Sequence, residues 1–429
     1  MNEADSRRLG QQIEFAGYTP AACAEQADLV ILNTCVVRQQ AEDKAVGRLT
    51  TLKAHKESRP DMVIGLMGCM VGMREAPGLK ARFPYVDVFM PPSNTTPLLD
   101  FLQTRRLIED LSGTELEERA WRDAVQDEDL PLPAHQQGSV VAQVPVVLGC
   151  SHACSFCVIP YRRGAERSRP QADILSEVRS LARQGVREIM LLGQIVDRYG
   201  VDFNDDTNLG GLLRAVARVE GVERIRFLTS HPNYMEDSLL ETVAAEPTIC
   251  PHIEVALQAG NDVVLERMRR GYTAQHFREL VARIRSFLPD AAIHTDVIVG
   301  FPGETHEQFM DTVRLVEELR MDKIHLSKYS ERPKTIAARN LPDDIPQEEK
   351  EARWKILEDV QGRILEEKNR PLRGQSLPVL VEGRFKNRWR GRTPHGKVVF
   401  FDDPRELRGQ TVSIRVDWTG PYSLIGTTT

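Results

Sequence analysis

The sequence predicts an α/β protein in three parts: an N-terminal α/β domain on a parallel sheet, a central partial TIM-type barrel of six β/α units, and a small antiparallel β-barrel at the C-terminus. Three observations carry this expectation. β-branched apolar runs alternate with helical stretches from about residue 27 onward, as in parallel sheets crossed by helices. Six such alternations follow one another between about 138 and 370, which suits a right-handed parallel barrel, complete or partial. After about 372 the pattern becomes short strands between Gly and Pro turns, the mark of a small antiparallel barrel of OB-like type. The implied domains are 1–103, 136–371 and 372–429, with a connector at 104–135.

In the first domain, ADLVILNTC (27–35) and DMVIGLMGC (61–69) read as buried strands, and the stretch between them has helical spacing. Ligands of such parallel units gather at the carboxyl ends of the strands, where Cys35 and Cys69 fall. A lone Cys after a strand is usually a small buried hydrophobe. Two at equivalent ends of neighbouring strands point instead to a shared metal site. Cys23 has no such placement. The connector holds nine acidic and four basic residues and ends in LPLPAH, a composition that favours an exposed segment with some helix.

The bulk numbers exclude several classes. A chain of 429 residues with 41% hydrophobic and 28% charged residues can fill real cores. Seven cysteines, three of them clustered, suit metal binding in a reducing compartment better than a disulfide framework. No apolar run approaches the ~20 residues that span a bilayer, and the N-terminus lacks a basic-then-apolar signal pattern. The expectation is a cytoplasmic monomer with no membrane partner. The net charge of −6 does not itself advertise nucleic-acid binding, although it averages over unlike domains.

Cys150, Cys154 and Cys157 stand in GCSHACSFCVIPYRRG with the spacing Cys-x3-Cys-x2-Cys. Three close thiolates hold three corners of a cubane iron–sulfur cluster and leave the fourth iron open to a small molecule. A structural zinc site would need a fourth ligand, for which His152 is the candidate. VPVVLG (144–149) is expected as the barrel strand that ends at Cys150, followed by strands at 187–194, 224–230, 252–258, 292–300 and 323–330. Helical patterns separate them at 171–184, 208–219, 235–245, 261–286 and 304–319. Residues just past the strand ends would line one mouth: Cys150, Gly193 and Gln194, Ser230 and His231, Gln258, the turn from Gly300 to Gly303, and Tyr329 with Ser330.

The C-terminal strands are LPVLVEG, GKVVFF, TVSIRVDWTG and YSLIGTT. Between 379 and 399 lie Arg384, Lys386, Arg388, Arg390, Arg392 and Lys397 against the single acid Glu382, with Phe385 and Trp389 interleaved. Basic residues with aromatics on a small β-barrel are a usable RNA surface. The alternative is an edge strand protected by charge.

With this order assembled, the chain resembles the radical S-adenosylmethionine methylthiotransferases, and within them the MiaB-type tRNA enzymes. The resemblance covers nearly the whole length and rests on NTCVVRQQAEDK, GLMGCM, CSHACSFCVIPYRRGAERSRP, MLLGQIVDRYG, RIRFLTSHP, LQAGNDVVLERMRRGYT, TDVIVGFPGET and YSERPKT. The last section is similar to the TRAM domain, an RNA-binding β-barrel. The resemblance implies that Cys150, Cys154 and Cys157 bind a 4Fe–4S cluster whose open iron chelates S-adenosylmethionine, and that reductive cleavage yields a 5′-deoxyadenosyl radical. The radical would take hydrogen from carbon 2 of N6-isopentenyladenosine at position 37 of the anticodon stem-loop of tRNA. A second 4Fe–4S cluster, with Cys35 and Cys69 among its ligands, would deliver the methylated sulfur. An electron donor and a sulfur source are implied partners. Gly193, Gln194, Ser230, Gln258 and Val299 with the loop after it are placed to hold S-adenosylmethionine. Arg162, Arg163, Arg167 and Arg169 beside the cluster loop suit tRNA phosphate or the cofactor, as Arg384, Arg388, Arg390 and Lys397 suit RNA in the TRAM-like part.

Three departures from the family pattern stand out. Ile195 replaces an Asn usual after LLGQ, and Glu331 and Lys334 stand where a smaller residue and Gly are frequent. The family's first strand ends in GCQMN, whose Cys is an auxiliary-cluster ligand; Met1 and Asn2 match only its last two residues. The expectation is that the working protein extends upstream of Met1, the rival being that Cys23 or an exogenous ligand completes the auxiliary site; the sequence as written is expected to cleave S-adenosylmethionine with impaired sulfur transfer. Rival readings are methylthiolation of threonylcarbamoyl-adenosine in tRNA or of a ribosomal protein, and, from another class, a non-catalytic iron–sulfur or zinc RNA-binding module.

Overall fold

The first two apolar runs pair as β1 (Leu29–Thr34) and β2 (Val63–Gly68), in parallel and in register from Leu29 opposite Val63 to Thr34 opposite Gly68. The computed structural model describes residues 1–37, 39–73, 78–105, 107 and 137–429. They form two compact units, one of residues 1–138, 143–152 and 157–184, the other of 139–142, 153–156 and 185–429. Apart from Thr104, Arg105 and Leu107, the expected connector at 104–135 lies outside the described residues.

In the first unit a third parallel strand, β3 (Val88–Met90), joins β2 to give the order β1-β2-β3. Three residues were too short a run to read as a strand. Every residue of β2 is buried, as befits a central parallel strand covered on both faces. Ile64 and Leu66 meet Leu49 and Leu52 of helix Gln39–Ser58 on one side. Met67 meets Leu9 of helix Asn2–Phe15 and Leu98 and Leu102 of helix Thr96–Thr104 on the other.

The chain then enters β4 (Val141–Pro145), whose first residues belong to the second unit. Here one expectation is corrected. VPVVLG is not a single strand leading to Cys150: β4 stops at Pro145, and β5 (Val147–Leu148) pairs antiparallel with β6 (Arg167–Ser168). Gly149 turns the chain with φ +72, and a Cβ there would lie 2.1 Å from the Ala165 carbonyl oxygen, so only glycine fits. Helix Gln171–Arg183 follows as expected.

In the second unit β7 (Glu188–Leu192) pairs parallel with β8 (Arg224–Leu228), and β4 flanks β7. The strands β9 (His252–Glu254), β10 (Ala292–Val299) and β11 (Lys323–Lys328) form a second parallel set. Single parallel bridges, Ile225 to Ile249 and Ser230 to Val255, join the two sets. The six strands therefore run in sequence order, the partial barrel that was expected.

The expected helix at 261–286 is instead two, Asp262–Arg267 and Ala274–Phe287. Each begins with its own N-cap: Asn261 accepts from the amides of Val263 and Val264, and Thr273 from that of His276. Between them Arg269 (φ 56) and Gly271 (φ +70) take left-handed conformations. The apolar spacing continues across the break, which is why the pattern read as continuous.

Helix Gln347–Asn369 leads into the C-terminal strands β12 (Ser376–Phe385), β13 (Arg388–Arg392), β14 (Val398–Phe401), β15 (Thr411–Thr419) and β16 (Leu424–Thr428). They close a barrel in the order β12-β13-β14-β16-β15 around Val379, Val381, Trp389, Phe401, Ile414 and Leu424. Two points differ from expectation. β14 and β16 pair in parallel, so the barrel is not antiparallel throughout. RWRGR, read as a basic segment, is the strand β13, because Trp389 and Gly391 face inward between its arginines. Among the described residues no helix is long and apolar enough to cross a membrane.

Candidate functional site

The register of β1 and β2 sets Cys35 and Cys69 at matching carboxyl ends in the first unit. Thr34 ties those ends together: its carbonyl accepts from the Cys69 amide at 3.0 Å, and its Oγ1 accepts from the Met70 amide at 3.2 Å. Gly68 makes the turn with φ +99, where a Cβ would sit 2.5 Å from the Thr34 carbonyl oxygen. Burial pushes the Cys69 thiol up, while the Arg163 guanidinium, hydrogen-bonded to it, pulls the other way; the net shift is upward.

Arg163 was expected on the RNA surface and is instead buried. Its guanidinium reaches Asp5 at 3.2 Å and Asn2 Oδ1 at 2.7 Å. Arg163 thus offsets part of the burial that keeps the Cys69 thiol protonated, as a fixed cation beside a thiol does. Arg162 donates toward the Met70 carbonyl, and Arg169 and Arg7 share the buried carboxylate of Glu177. Arg167 alone of the four is exposed.

All seven cysteines are free thiols. Of the triplet, Cys150 and Cys157 belong with the first unit and Cys154 with the second. The Cys150 amide donates to the Gly164 carbonyl at 3.1 Å, and Cys157 Sγ accepts from the Ile159 amide at 3.5 Å. In the second unit, Ser155 is held from both sides. Its amide donates to the Met268 carbonyl at 3.0 Å and its Oγ to the Arg267 carbonyl at 2.7 Å, while its own carbonyl accepts from the Ala337 amide at 2.7 Å. Phe156 stands edge-on to Phe301, ring centroids 6.4 Å apart.

Beside this turn, Arg270 Nη1 donates to Cys154 Sγ at 3.1 Å, and its Nε to Tyr272 Oη at 2.9 Å. The Tyr272 hydroxyl donates in turn to the Ala256 and Leu257 carbonyls, each at 2.8 Å. Burial pushes the Tyr272 hydroxyl up to about 12, so it stays protonated. Sequence reasoning missed both residues. Their signal was present in MRRGYT, where glycine and paired arginines interrupt a helical pattern.

Gly193, Gln194, Ser230, Gln258 and Val299 all lie in the second unit at or past the ends of β7 to β10. Ser230 bridges to Val255 and Gln258 to Val297, so these two are fixed by neighbouring strands. Gln258 has φ +68 and Thr229 φ +72, backbone strain of a kind that collects at ligand sites. Ser230 Oγ, Gln258 Oε1 and Tyr329 Oη are buried and have no hydrogen-bond partner among the described residues. Buried polar atoms are nearly always satisfied, so these three fit a polar ligand at the strand ends. Val299 is itself buried and its carbonyl accepts from the Tyr329 amide at 2.9 Å, leaving that carbonyl's first lone pair committed to the barrel. Lys334, where Gly is usual in the resembling family, has φ +73, the region glycine favours.

On the C-terminal barrel, Arg388 forks onto Asp402, its closest contact 2.8 Å, and Arg390 and Arg392 share Glu382 at 2.8 and 2.7 Å. Arg384 is exposed and lies over the Trp389 ring at 4.1 Å. Two members of the expected RNA surface are turned inward. Trp389 is fully buried, its Nε1 donating to the Asp403 carbonyl at 3.0 Å, so it offers no stacking face to a base. Lys397 donates to Asn369 Oδ1 at 2.7 Å, and burial lowers its pKa. Phe385 remains outside, 48% exposed.

Comparison with known proteins follows the same division. The radical SAM superfamily matches residues 144–316, Uncharacterized protein family UPF0004 residues 1–91, and the TRAM domain residues 370–429. The tRNA-2-methylthio-N(6)-dimethylallyladenosine synthase of Roseiflexus sp. (strain RS-1) is 43% identical over 429 residues, which cover 99% of this chain and 87% of that one. The synthase of the same name from Dehalococcoides mccartyi (strain CBDB1) is 41% identical over 424 residues, covering 99% and 95%. Among solved structures, the radical S-adenosylmethionine methyltransferase TsrM from Kitasatospora setae superposes with a TM-score of 0.53 at 16% identity, over 77% of this chain and 68% of that one. That likeness is one of fold alone. The relatives by sequence are similar over nearly the whole length, and the chain belongs to their family, the radical S-adenosylmethionine methylthiotransferases that include the tRNA-2-methylthio-N(6)-dimethylallyladenosine synthases.

Proposed function

We propose that this chain attaches a methylthio group to carbon 2 of N6-isopentenyladenosine at position 37 of tRNA, next to the anticodon. One observation carries the reading beyond a generic radical enzyme. The chain has a second cysteine pair, Cys35 and Cys69, at matching strand ends beside the buried Arg163. An enzyme that only generated a radical would need the triplet alone.

Cys150, Cys154 and Cys157 would hold a 4Fe–4S cluster that, with S-adenosylmethionine, would supply the radical activating carbon 2, and Cys35 and Cys69 would be among the ligands of a second that would supply the sulfur. The chain's own residues position these groups. Arg270 holds the Cys154 sulfur by a hydrogen bond and is itself fixed by Tyr272. Ser230 and Gln258 present unpaired polar atoms to the sugar or carboxylate of the cofactor, and Gly193 with Gln194 borders the methionine end. Arg167 and Arg384 are exposed cations for tRNA phosphate. The enzyme works in the cytoplasm as a monomer with a reducing electron donor and a sulfur source.

The test is mass spectrometry of tRNA nucleosides from a deletion strain, with and without the gene restored. Loss and recovery of 2-methylthio-N6-isopentenyladenosine is expected. Unchanged levels, with a missing methylthio group on threonylcarbamoyl-adenosine instead, would reject this substrate.

A further inference from the structure

We propose that Glu254, His294 and His325 bind a divalent transition-metal ion inside the central barrel, through a ligand set that contains no cysteine. The three residues stand on adjacent strands β9, β10 and β11. Glu254 lies opposite His294, and His325 lies opposite Asp296, two residues further along β10. Side chains alternate along a strand, so all three project from one face of the sheet. Their ligand atoms lie within 4.8 Å of one another, and His325 Nε2 is 3.6 Å from Glu254 Oε2. A tetrahedral ion with bonds of about 2.1 Å holds its ligand atoms roughly 3.4 Å apart. Small side-chain movements therefore close the site.

The surroundings support a metal rather than a simple ion pair. His252 Nε2 and His294 Nδ1 share a hydrogen bond of 3.0 Å, with ring centroids 4.1 Å apart. Such a bond from behind fixes the ring of a metal-ligating histidine. Thr229 Oγ1 stands 3.5 Å from Glu254 Oε1, and His252 Nδ1 is buried with no partner among the described residues. A Glu254–His325 ion pair would engage one imidazole and leave His294, among the described residues, hydrogen-bonded to the His252 imidazole. A cation uses His294, His325 and the carboxylate together. Two imidazoles and one carboxylate form the donor set of zinc with an open fourth position, and also of ferrous iron. Zinc is the probe of choice because it is distinguishable from cluster iron.

The experiment loads the full-length, cluster-reconstituted protein anaerobically with zinc chloride, desalts it, and measures zinc and iron per chain. About one zinc in addition to the cluster iron is expected, with zinc-edge absorption showing nitrogen and oxygen neighbours at about 2.0–2.1 Å and no sulfur at about 2.3 Å. Glu254→Gln, His294→Gln and His325→Gln should each weaken zinc retention at least tenfold with iron unchanged, while His306→Gln, an exposed histidine outside the site, should not. No retained zinc, sulfur neighbours, or retention unchanged in all three variants would overturn the proposal. The absorption result on the unmodified protein decides the question even if a variant fails to fold.

Discussion

Arg270 donates a hydrogen bond to Cys154 Sγ at 3.1 Å from a position 116 residues further along the chain. Hydrogen bonds to cluster sulfurs raise reduction potential, and a charge-assisted bond is worth about 1.5–3 kcal/mol. Arg270→Met should therefore lower 5′-deoxyadenosine formation about tenfold or more and make the triplet cluster harder to reduce, with Arg270→Lys intermediate. The check is a potentiometric titration followed by electron paramagnetic resonance. An unchanged potential in Arg270→Met would refute the role.

The two cysteine sets should separate in function. Cys154→Ala should abolish 5′-deoxyadenosine formation. Cys35→Ala or Cys69→Ala should leave it largely intact while abolishing methylthio transfer, and should cost about four irons per chain, the content of one cubane. Iron analysis and product mass spectrometry on the same preparations decide this. Loss of both activities in Cys69→Ala, with the triplet cluster still present, would contradict the division of labour.

Ser230 and Gln258 should trade stability against cofactor binding. Ser230 Oγ and Gln258 Oε1 lack partners among the described residues, so Ser230→Ala should leave the melting temperature unchanged or slightly higher. Gln258→Gly should relieve the left-handed strain at φ +68, worth about 1 kcal/mol. Both should raise KM for S-adenosylmethionine several-fold, by the ~0.5–1.5 kcal/mol of a lost hydrogen bond. Calorimetry beside steady-state kinetics tests the opposite signs.

Acid stability should depend on Glu177. Burial pushes its carboxyl up, but Arg169 and Arg7 outweigh burial and hold it below the ordinary carboxylate range. A depressed carboxyl stabilises the fold above its unfolded pKa of about 4.3 and loses that contribution as pH falls through the folded value. Thermal melts between pH 5 and pH 3 should fall steeply for the natural chain and less steeply for Glu177→Gln. At pH 7 that variant should be less stable by about 3–5 kcal/mol, since it strands two buried cations.

The basic residues should divide by placement. Arg167→Ala and Arg384→Ala remove exposed cations and should each reduce the salt dependence of tRNA binding by about one unit of slope. Lys397→Ala breaks the contact to Asn369 and should lower the melting temperature with little change in that slope. A filter-binding series in salt makes the distinction.

The residues alone determined the chemistry that depends on local spacing. Cys-x3-Cys-x2-Cys keeps three thiols within eight residues of chain whatever the rest does, and the β-branched runs marked the main strands because such side chains fit a pleated, buried surface. Packing decided what lies far apart in sequence. Strand register brought Cys35 level with Cys69. The left-handed residues Arg269 and Gly271 broke an apparent helix and delivered Arg270 to Cys154. Tertiary contacts also sorted chemically identical side chains, burying Arg163 against Asp5 while leaving Arg167 in solvent, and turning Trp389 into the barrel core. A side chain's type fixes what it can bind, but whether it faces water or protein depends on non-local burial and register, which no local pattern encodes.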